Sequence, residues 1–178
     1  MRETVKYAFI LGLICFLSSG LLAVVHGVTE EKIILEKEKG ISAALKEALP
    51  QAIEFKPHIQ DEAVIYYSAY GASGKLTGFV LKAVNKGYSS EIEILAGLNR
   101  NLEITNIKIV SQNETPGLGS RIIEPQFIGQ FSGKTLESFD RVQAITGATI
   151  SSGAVIHAVK NKIAELKSEL IKEIHHAG

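Results

Sequence analysis

The sequence predicts an α+β chain, in which a single transmembrane helix precedes one domain built as a twisted antiparallel sheet with helices packed on it. Three observations predict it. Residues 7–25 carry no charge and are almost wholly apolar, residues 63–111 hold short runs of β-forming residues separated by turn signals, and apolar residues recur at helical spacing from Val155 to Ile174. Strand runs closed by one long helix belong to the α+β class, because each element has one apolar face that must be covered by another.

Composition narrows the function classes. A chain of 178 residues with 46% hydrophobic content builds one core of ordinary size. Its 19 basic and 19 acidic residues cancel, and no basic stripe stands out, so there is no electrostatic footprint for nucleic acid. Cys15 is the only cysteine and falls in the apolar run. An intrachain disulfide, a CxxC pair and a cysteine metal cluster are therefore excluded, and any redox chemistry needs a cofactor.

The apolar run is close to the ~20 residues that span a bilayer as a helix. Arg2 and Lys6 precede it and Glu30 and Glu31 follow it. The positive-inside rule then puts the N-terminus in the cytoplasm and the bulk of the chain outside. A cleaved signal peptide is the competing reading, disfavoured because the run exceeds the usual apolar region and Val24-Val25-His26-Gly27 offers no A-x-A-like site. His26 reads as an interfacial residue, and Gly12 and Gly20 as close-contact points for another helix or as ordinary membrane-helix glycines.

From Thr29 to Gln51 the pattern is charged and helical. Thr29-Glu30-Glu31-Lys32 resembles an N-cap with acids in the first turn, and Ile33, Leu35, Ile41, Ala44, Leu45 and Leu49 give a partial apolar stripe. Pro50 ends it, and Gly40 is the expected break or bend. The interleaved Glu36-Lys37-Glu38-Lys39 is a solvated face. The predicted organisation is a cytoplasmic N-terminus and anchor over 1–28, a linker or stalk helix over 29–56, and one domain over 57–178.

Strands are predicted at 63–70 and 76–84, joined by the turn 71–74, then at 91–95 after the turn 86–90, and at 102–111 after Asn99-Arg100-Asn101. Ile104, Ile107 and Ile109 are the inward positions of the last. Tyr66, Tyr67, Tyr70 and Tyr88 are read as sheet and core residues.

Two loops carry the chemistry. In Asn113-Glu114-Thr115-Pro116-Gly117-Leu118-Gly119-Ser120, Pro116 and Gly117 suit the centre of a type II turn. That turn does not require Glu114, Thr115 or Gly119, which with exposed backbone groups would hydrogen-bond a planar polar ring. A stretch with Phe127 and Phe131 leads to the second loop, Thr146-Gly147-Ala148-Thr149-Ile150-Ser151-Ser152. It opens the final helix, whose stripe is Val155, Val159, Ile163, Leu166, Leu170 and Ile174. Small residues let a ligand approach, hydroxyls supply hydrogen bonds or a nucleophile, and a helix N-terminus suits a phosphate. An ordinary Ser/Thr cap with a tight glycine turn explains the same residues, with Ser151 or Ser152 as the cap and Thr149 just ahead of the first turn. His157 is read as an exposed helix histidine, and His175-His176 lacks the further ligands of a metal site.

Taken together, the two loops in this order behind one anchor resemble the FMN-binding domain family, and within it the G subunit of the Rnf electron-transport complex. The likeness runs along nearly the whole chain. It implies FMN bound covalently by a phosphoester to the last threonine of the Ser/Thr-Gly-Ala-Thr motif, here Thr149, attached by a flavin transferase that uses FAD as donor. Thr146, Gly147, Ala148, Ser151 and Ser152 would surround the attachment, and Glu114, Thr115, Pro116, Gly117, Leu118 and Gly119 would lie against the flavin. The implied role is that of an electron relay without a substrate of its own. Its partners would be the membrane and iron–sulfur subunits of an ion-translocating ferredoxin:NAD oxidoreductase in the cell membrane, with the FMN domain on the extracytoplasmic side. The family's recognition pattern commonly has aspartate three residues before the motif; Gln143 stands there, keeping hydrogen-bonding reach and losing the charge. The C subunit of the Na⁺-translocating quinone reductase shares the covalent-FMN logic, and a membrane-anchored assembly module without flavin is the reading from a different class.

Overall fold

The computed structural model describes the backbone of residues 2–61 and 63–176; the side chains of 2, 3 and 31–38 are outside the described residues. Ile33, Leu35 and the charges of Glu36, Lys37 and Glu38 fall in that gap. The chain divides into two units, Met1–Gly40 and Ile41–Gly178.

Helix α1 spans Arg2–Ala48. Its segment Thr4–Glu30 has a mean hydropathy of 2.5 and none of its residues is buried within the protein, which meets the length and composition of a single membrane span. Two details differ from the sequence reading. Thr29 is inside the helix and caps nothing; its Oγ1 donates to the Val25 carbonyl, the i−4 bond that a helical threonine makes. Gly40 is likewise helical, because a single glycine costs a helix only about 1 kcal/mol.

The second unit is built on a five-stranded antiparallel sheet, β1 (Glu54–Gln60), β2 (Ala63–Tyr70), β3 (Leu76–Lys86), β4 (Glu91–Asn99) and β5 (Ile104–Ser111), in simple sequential order. β1 lies outside the strands read from the sequence and crosses the expected boundary at 56. Pro57 obscures it, and is tolerated because β1 is an edge strand. Short helical turns follow at Gly119–Ile123, α2 (Pro125–Ile128), Gly129–Phe131 and Leu136–Arg141, and the chain closes with α3 (Thr149–His176).

Both faces of the sheet are covered. On one, Phe79, Leu81 and Ala83 of β3, Ile92, Ile94, Ala96 and Leu98 of β4, and Ile104, Ile107 and Ile109 of β5 pack with the α3 stripe and with Phe127, Phe131 and Phe139. Alternation within β5 is interrupted between Ile104 and Ile107. Gly97 pairs with Asn106 but Leu98 with Ile104, so Thr105 is an extra residue that turns both isoleucines to one face. On the other face, Ala69, Val80 and Leu95 meet Ala44, Leu45, Ala48 and Leu49 from the end of α1.

At the C-terminal end of α3, Tyr66 donates to Glu173 at 3.0 Å and to Glu169 at 3.2 Å, and Ser68 donates to Glu173. Burial, reinforced by the two carboxylates, pushes the Tyr66 hydroxyl well above its ordinary pKa, so it stays a donor. These bonds tie the C-terminal part of α3 to β2.

Candidate functional site

Each loop has its shape from its own sequence. The N–H of Leu118 bonds the Thr115 carbonyl at 3.1 Å across Pro116 and Gly117, with Gly117 at φ 75°. Only glycine enters that region without strain, so the type II turn is present as read. A second tight turn closes between Ala148 N–H and the Ile145 carbonyl at 2.9 Å, with Gly147 at φ 84°. Helix α3 starts immediately after it. The N–H of Ser152 bonds the Ala148 carbonyl at 2.9 Å, so the capping position belongs to Ala148 and the helix begins with Thr149.

That start corrects the expected cap. Ser151 and Ser152 are inside the first turn of α3, and both are buried. Ser152 Oγ donates to the Ala148 carbonyl at 2.7 Å and accepts the N–H of Ile145 at 3.1 Å, which folds the motif back on itself. Ser151 Oγ donates to Glu114.

Glu114 joins the two loops to a third. Its side chain is buried, with the residue 5% exposed. Besides Ser151 it accepts the N–H groups of Tyr88 at 3.1 Å and of Ser89 and Ser90 at 3.0 Å each, all from the β3–β4 turn. Burial opposes ionisation, but the bonds from Ser151, Ser90, Ser89 and Tyr88 together outweigh it and hold the carboxyl below the ordinary glutamate value of 4.5. With the folded pKa depressed, this contribution is complete above the unfolded value and is lost as pH falls through the folded one. Near neutrality the wild type is expected to exceed Glu114→Gln by about 2 kcal/mol. In urea titrations from about pH 7 to about pH 3 that gap should narrow only below the ordinary glutamate range; a constant gap would contradict the assignment.

Around this junction lies a cleft of about 380 Å³, lined by Tyr88, Glu114, Thr115, Leu118, Gly119 and residues 147–151. Of the site residues expected from sequence, it brings together Glu114, Thr115, Leu118, Gly119, Gly147, Ala148, Thr149 and Ser151. Pro116 and Gly117 sit on the outer turn, and Ser152 faces backbone. Thr146 lines a neighbouring cleft of about 260 Å³ with Arg121, Gln130 and Gln143. There the Gln130 side chain brackets the Gln143 backbone, accepting its N–H at 2.8 Å and donating to its carbonyl at 3.3 Å. His157 is exposed on α3.

Two lining residues escape the sequence reading, Tyr88 and Ile150. Tyr88 is 69% exposed, in contrast to the core position expected for it, and with Leu118 (52%) and Ile150 (58%) it puts three large apolar side chains on one rim. Such a rim is unfavourable in water and fits a flat aromatic ligand. Ile150 lies five residues before Val155, out of phase with the buried stripe, and that is its one signal in the sequence. Thr149 is exposed, its hydroxyl makes no hydrogen bond among the described residues, and the N–H groups of Thr149, Ile150 and Ser151 precede the first helical bond. An exposed hydroxyl, a helix end with unpaired N–H groups and an apolar rim therefore share one cleft.

Known proteins are similar to this chain in sequence and in fold. The sequence model of the FMN-binding domain family matches residues 87–164. The G subunit of the ion-translocating oxidoreductase complex of Methanosarcina acetivorans is 32% identical, over 91% of this chain and 94% of its own. The G subunit of the Na⁺-translocating ferredoxin:NAD⁺ oxidoreductase complex of Acetobacterium woodii is 31% identical, over 89% and 91%. Among solved structures, NqrC of Shewanella oneidensis shares the fold with a TM-score of 0.53 at 21% identity, covering 72% of this chain and 74% of that one.

Proposed function

The chain belongs to the FMN-binding domain family, among the G subunits of ion-translocating oxidoreductase complexes, and from that premise we propose that it relays electrons through an FMN esterified to Thr149 in the cleft between the glycine loop and α3. The observation that carries the proposal is the Thr149 hydroxyl, exposed, free of hydrogen bonds among the described residues and set at the N-terminus of a 28-residue helix. Bound FMN supplies the one- or two-electron chemistry that the side chains themselves lack.

The chain's own residues bind and orient. Thr149 Oγ1 provides the ester oxygen; on attachment the Oγ1–P bond forms as the pyrophosphate bond of FAD breaks, AMP leaves, and the hydroxyl proton passes to the flavin transferase. The positive end of α3 favours the phosphate. Tyr88, Leu118 and Ile150 would lie against the ring system. Covalent attachment suits a domain outside the cytoplasm, where a dissociated cofactor is lost.

The segment Thr4–Glu30 anchors the chain in the membrane once. Arg2 and Lys6 on one flank and Glu30 and Glu31 on the other support a cytoplasmic N-terminus and an extracytoplasmic domain. Relatives that are G subunits of such complexes, matched over most of their length, support partnership with the other subunits of a complex of this kind, ahead of a quinone reductase. The likeness to NqrC is one of fold.

Full-length protein produced with a flavin transferase and run on a denaturing gel tests this reading. A band fluorescent under ultraviolet light is the expected result; a dark band from protein produced with an active transferase would contradict it.

A further inference from the structure

We propose that Glu114 places a fixed negative charge, without an ion-pair partner among the described residues, in the wall of the cleft and thereby lowers the reduction potential of the flavin bound there. The inference rests on the reading that FMN occupies this cleft, and deepens it by assigning the residue that sets the cofactor's electronic environment.

The surroundings of Glu114 favour the anion. Every hydrogen-bond partner of its carboxylate is a donor: the N–H groups of Tyr88, Ser89 and Ser90, the hydroxyl of Ser151, and the Ser90 hydroxyl at 3.4 Å. An amide in its place would turn an NH₂ group toward one of these donors, whereas an ionised carboxylate is acceptor-only. Two bare Cα atoms make room for it. A Cβ at Gly87 would come within 2.6 Å of one carboxylate oxygen, and a Cβ at Gly119 within 2.7 Å of the other.

No cation among the described residues forms an ion pair with Glu114. Neutral donors stabilise the carboxylate without cancelling its unit charge, and the burial of the residue reduces its screening by water. Glu114 also lines the cleft that holds Thr149. A fixed anion at that position opposes the addition of electrons to a neighbouring ring system, so it favours the oxidised cofactor.

Spectroelectrochemical titration of the full-length, flavin-loaded protein tests the proposal in the wild type, Glu114→Gln and Ser151→Ala. Flavin per chain is measured first, and a wild type that carries none would overturn the cleft assignment and this inference with it. In loaded protein, Glu114→Gln should raise the midpoint potential. The ratio of oxidised to reduced flavin at a fixed potential should fall about tenfold or more, equivalent to about 30 mV for a two-electron couple. Ser151→Ala keeps the charge but removes a hydroxyl donor, leaving more of the charge on the carboxylate, and should shift that ratio the other way by about twofold or more.

Opposite signs are the signature, since a loosened cleft moves both variants in the same direction. Equal directions, or no shift in either, would overturn the proposal. Should Glu114→Gln fail to fold or load flavin, Ser151→Ala decides alone: a lowered potential supports the inference, and a raised or unchanged one overturns it.

Discussion

Thr149→Ala is expected to carry no covalent flavin, with the fluorescence of its denatured band at background, while Thr146→Ala retains the wild-type signal. The difference follows from what each hydroxyl is doing. An ester needs an oxygen that is free and reachable from solvent. Ser151 is buried with its hydroxyl engaged by Glu114, and Ser152 is buried and bonded to the Ala148 carbonyl. Thr146 is exposed but faces the neighbouring cleft beside Gln143. Of these four, Thr149 alone combines exposure, an unengaged oxygen, the helix N-terminus and the apolar rim. Thr149→Ser keeps the oxygen and should keep part of the label. Fluorescence that survives in Thr149→Ala and disappears in Thr146→Ala would move the attachment to the adjacent cleft.

A large effect on stability is expected at Gly97, outside both loops. In β4 this glycine faces the last turn of α1, and a Cβ there would overlap the Ala48 carbonyl and approach Thr105 Oγ1 to 2.7 Å. The carbonyl belongs to the backbone of a docked helix end. It accepts the Thr105 hydroxyl at 2.6 Å, and the Glu47 carbonyl accepts the Asn106 side-chain amide at 3.1 Å, so β5 satisfies groups that a helix C-terminus leaves unpaired. Gly97→Ala must push that turn away and forfeit those bonds along with the apolar contacts of Leu45, Ala48 and Leu49. A loss of about 3 kcal/mol or more is expected, corresponding to a fall in Tm of about 10 °C for a domain of this size. Gly129→Ala is the control, because a Cβ there meets nothing within 4 Å and the backbone is already right-handed helical. Equal melting temperatures for the two variants would refute the packing argument.

Gly97 also illustrates what a sequence does not disclose. The α3 stripe is legible because its residues bury at helical spacing, and Ile104, Ile107 and Ile109 because they are isoleucines in a strand. That the end of α1 covers the opposite face is not legible. Leu45, Ala48 and Leu49 look alike whether they face a sheet or another partner, and the strands' alternation suggests a single covered face. β1 is hidden by Pro57, and the bulge at Thr105 by having no local signature.

At the site, both loops announce themselves through glycines, and the turn type predicts the positive φ of Gly117. Their meeting is not readable residue by residue. Glu114 reaches Ser89 across 25 positions and Ser151 across 37, contacts that depend on sheet register and on where α3 begins. Because the helix begins earlier than its serines suggest, they are structural and Thr149 itself occupies the first turn. Tyr88 carries no mark separating it from the strand tyrosines; its place in the turn at Gly87 becomes informative only with the fold in view.

The central claim is a single bond, and peptide mass spectrometry tests it most directly. Trypsin releases residues 142–160, cut after Arg141 and Lys160, which contain Thr146, Thr149, Ser151 and Ser152 together. In protein produced with its transferase, this peptide should carry the mass of one FMN less one water, and fragmentation should place it on Thr149. An unmodified peptide, or the adduct on any of the other three hydroxyls, would contradict the account.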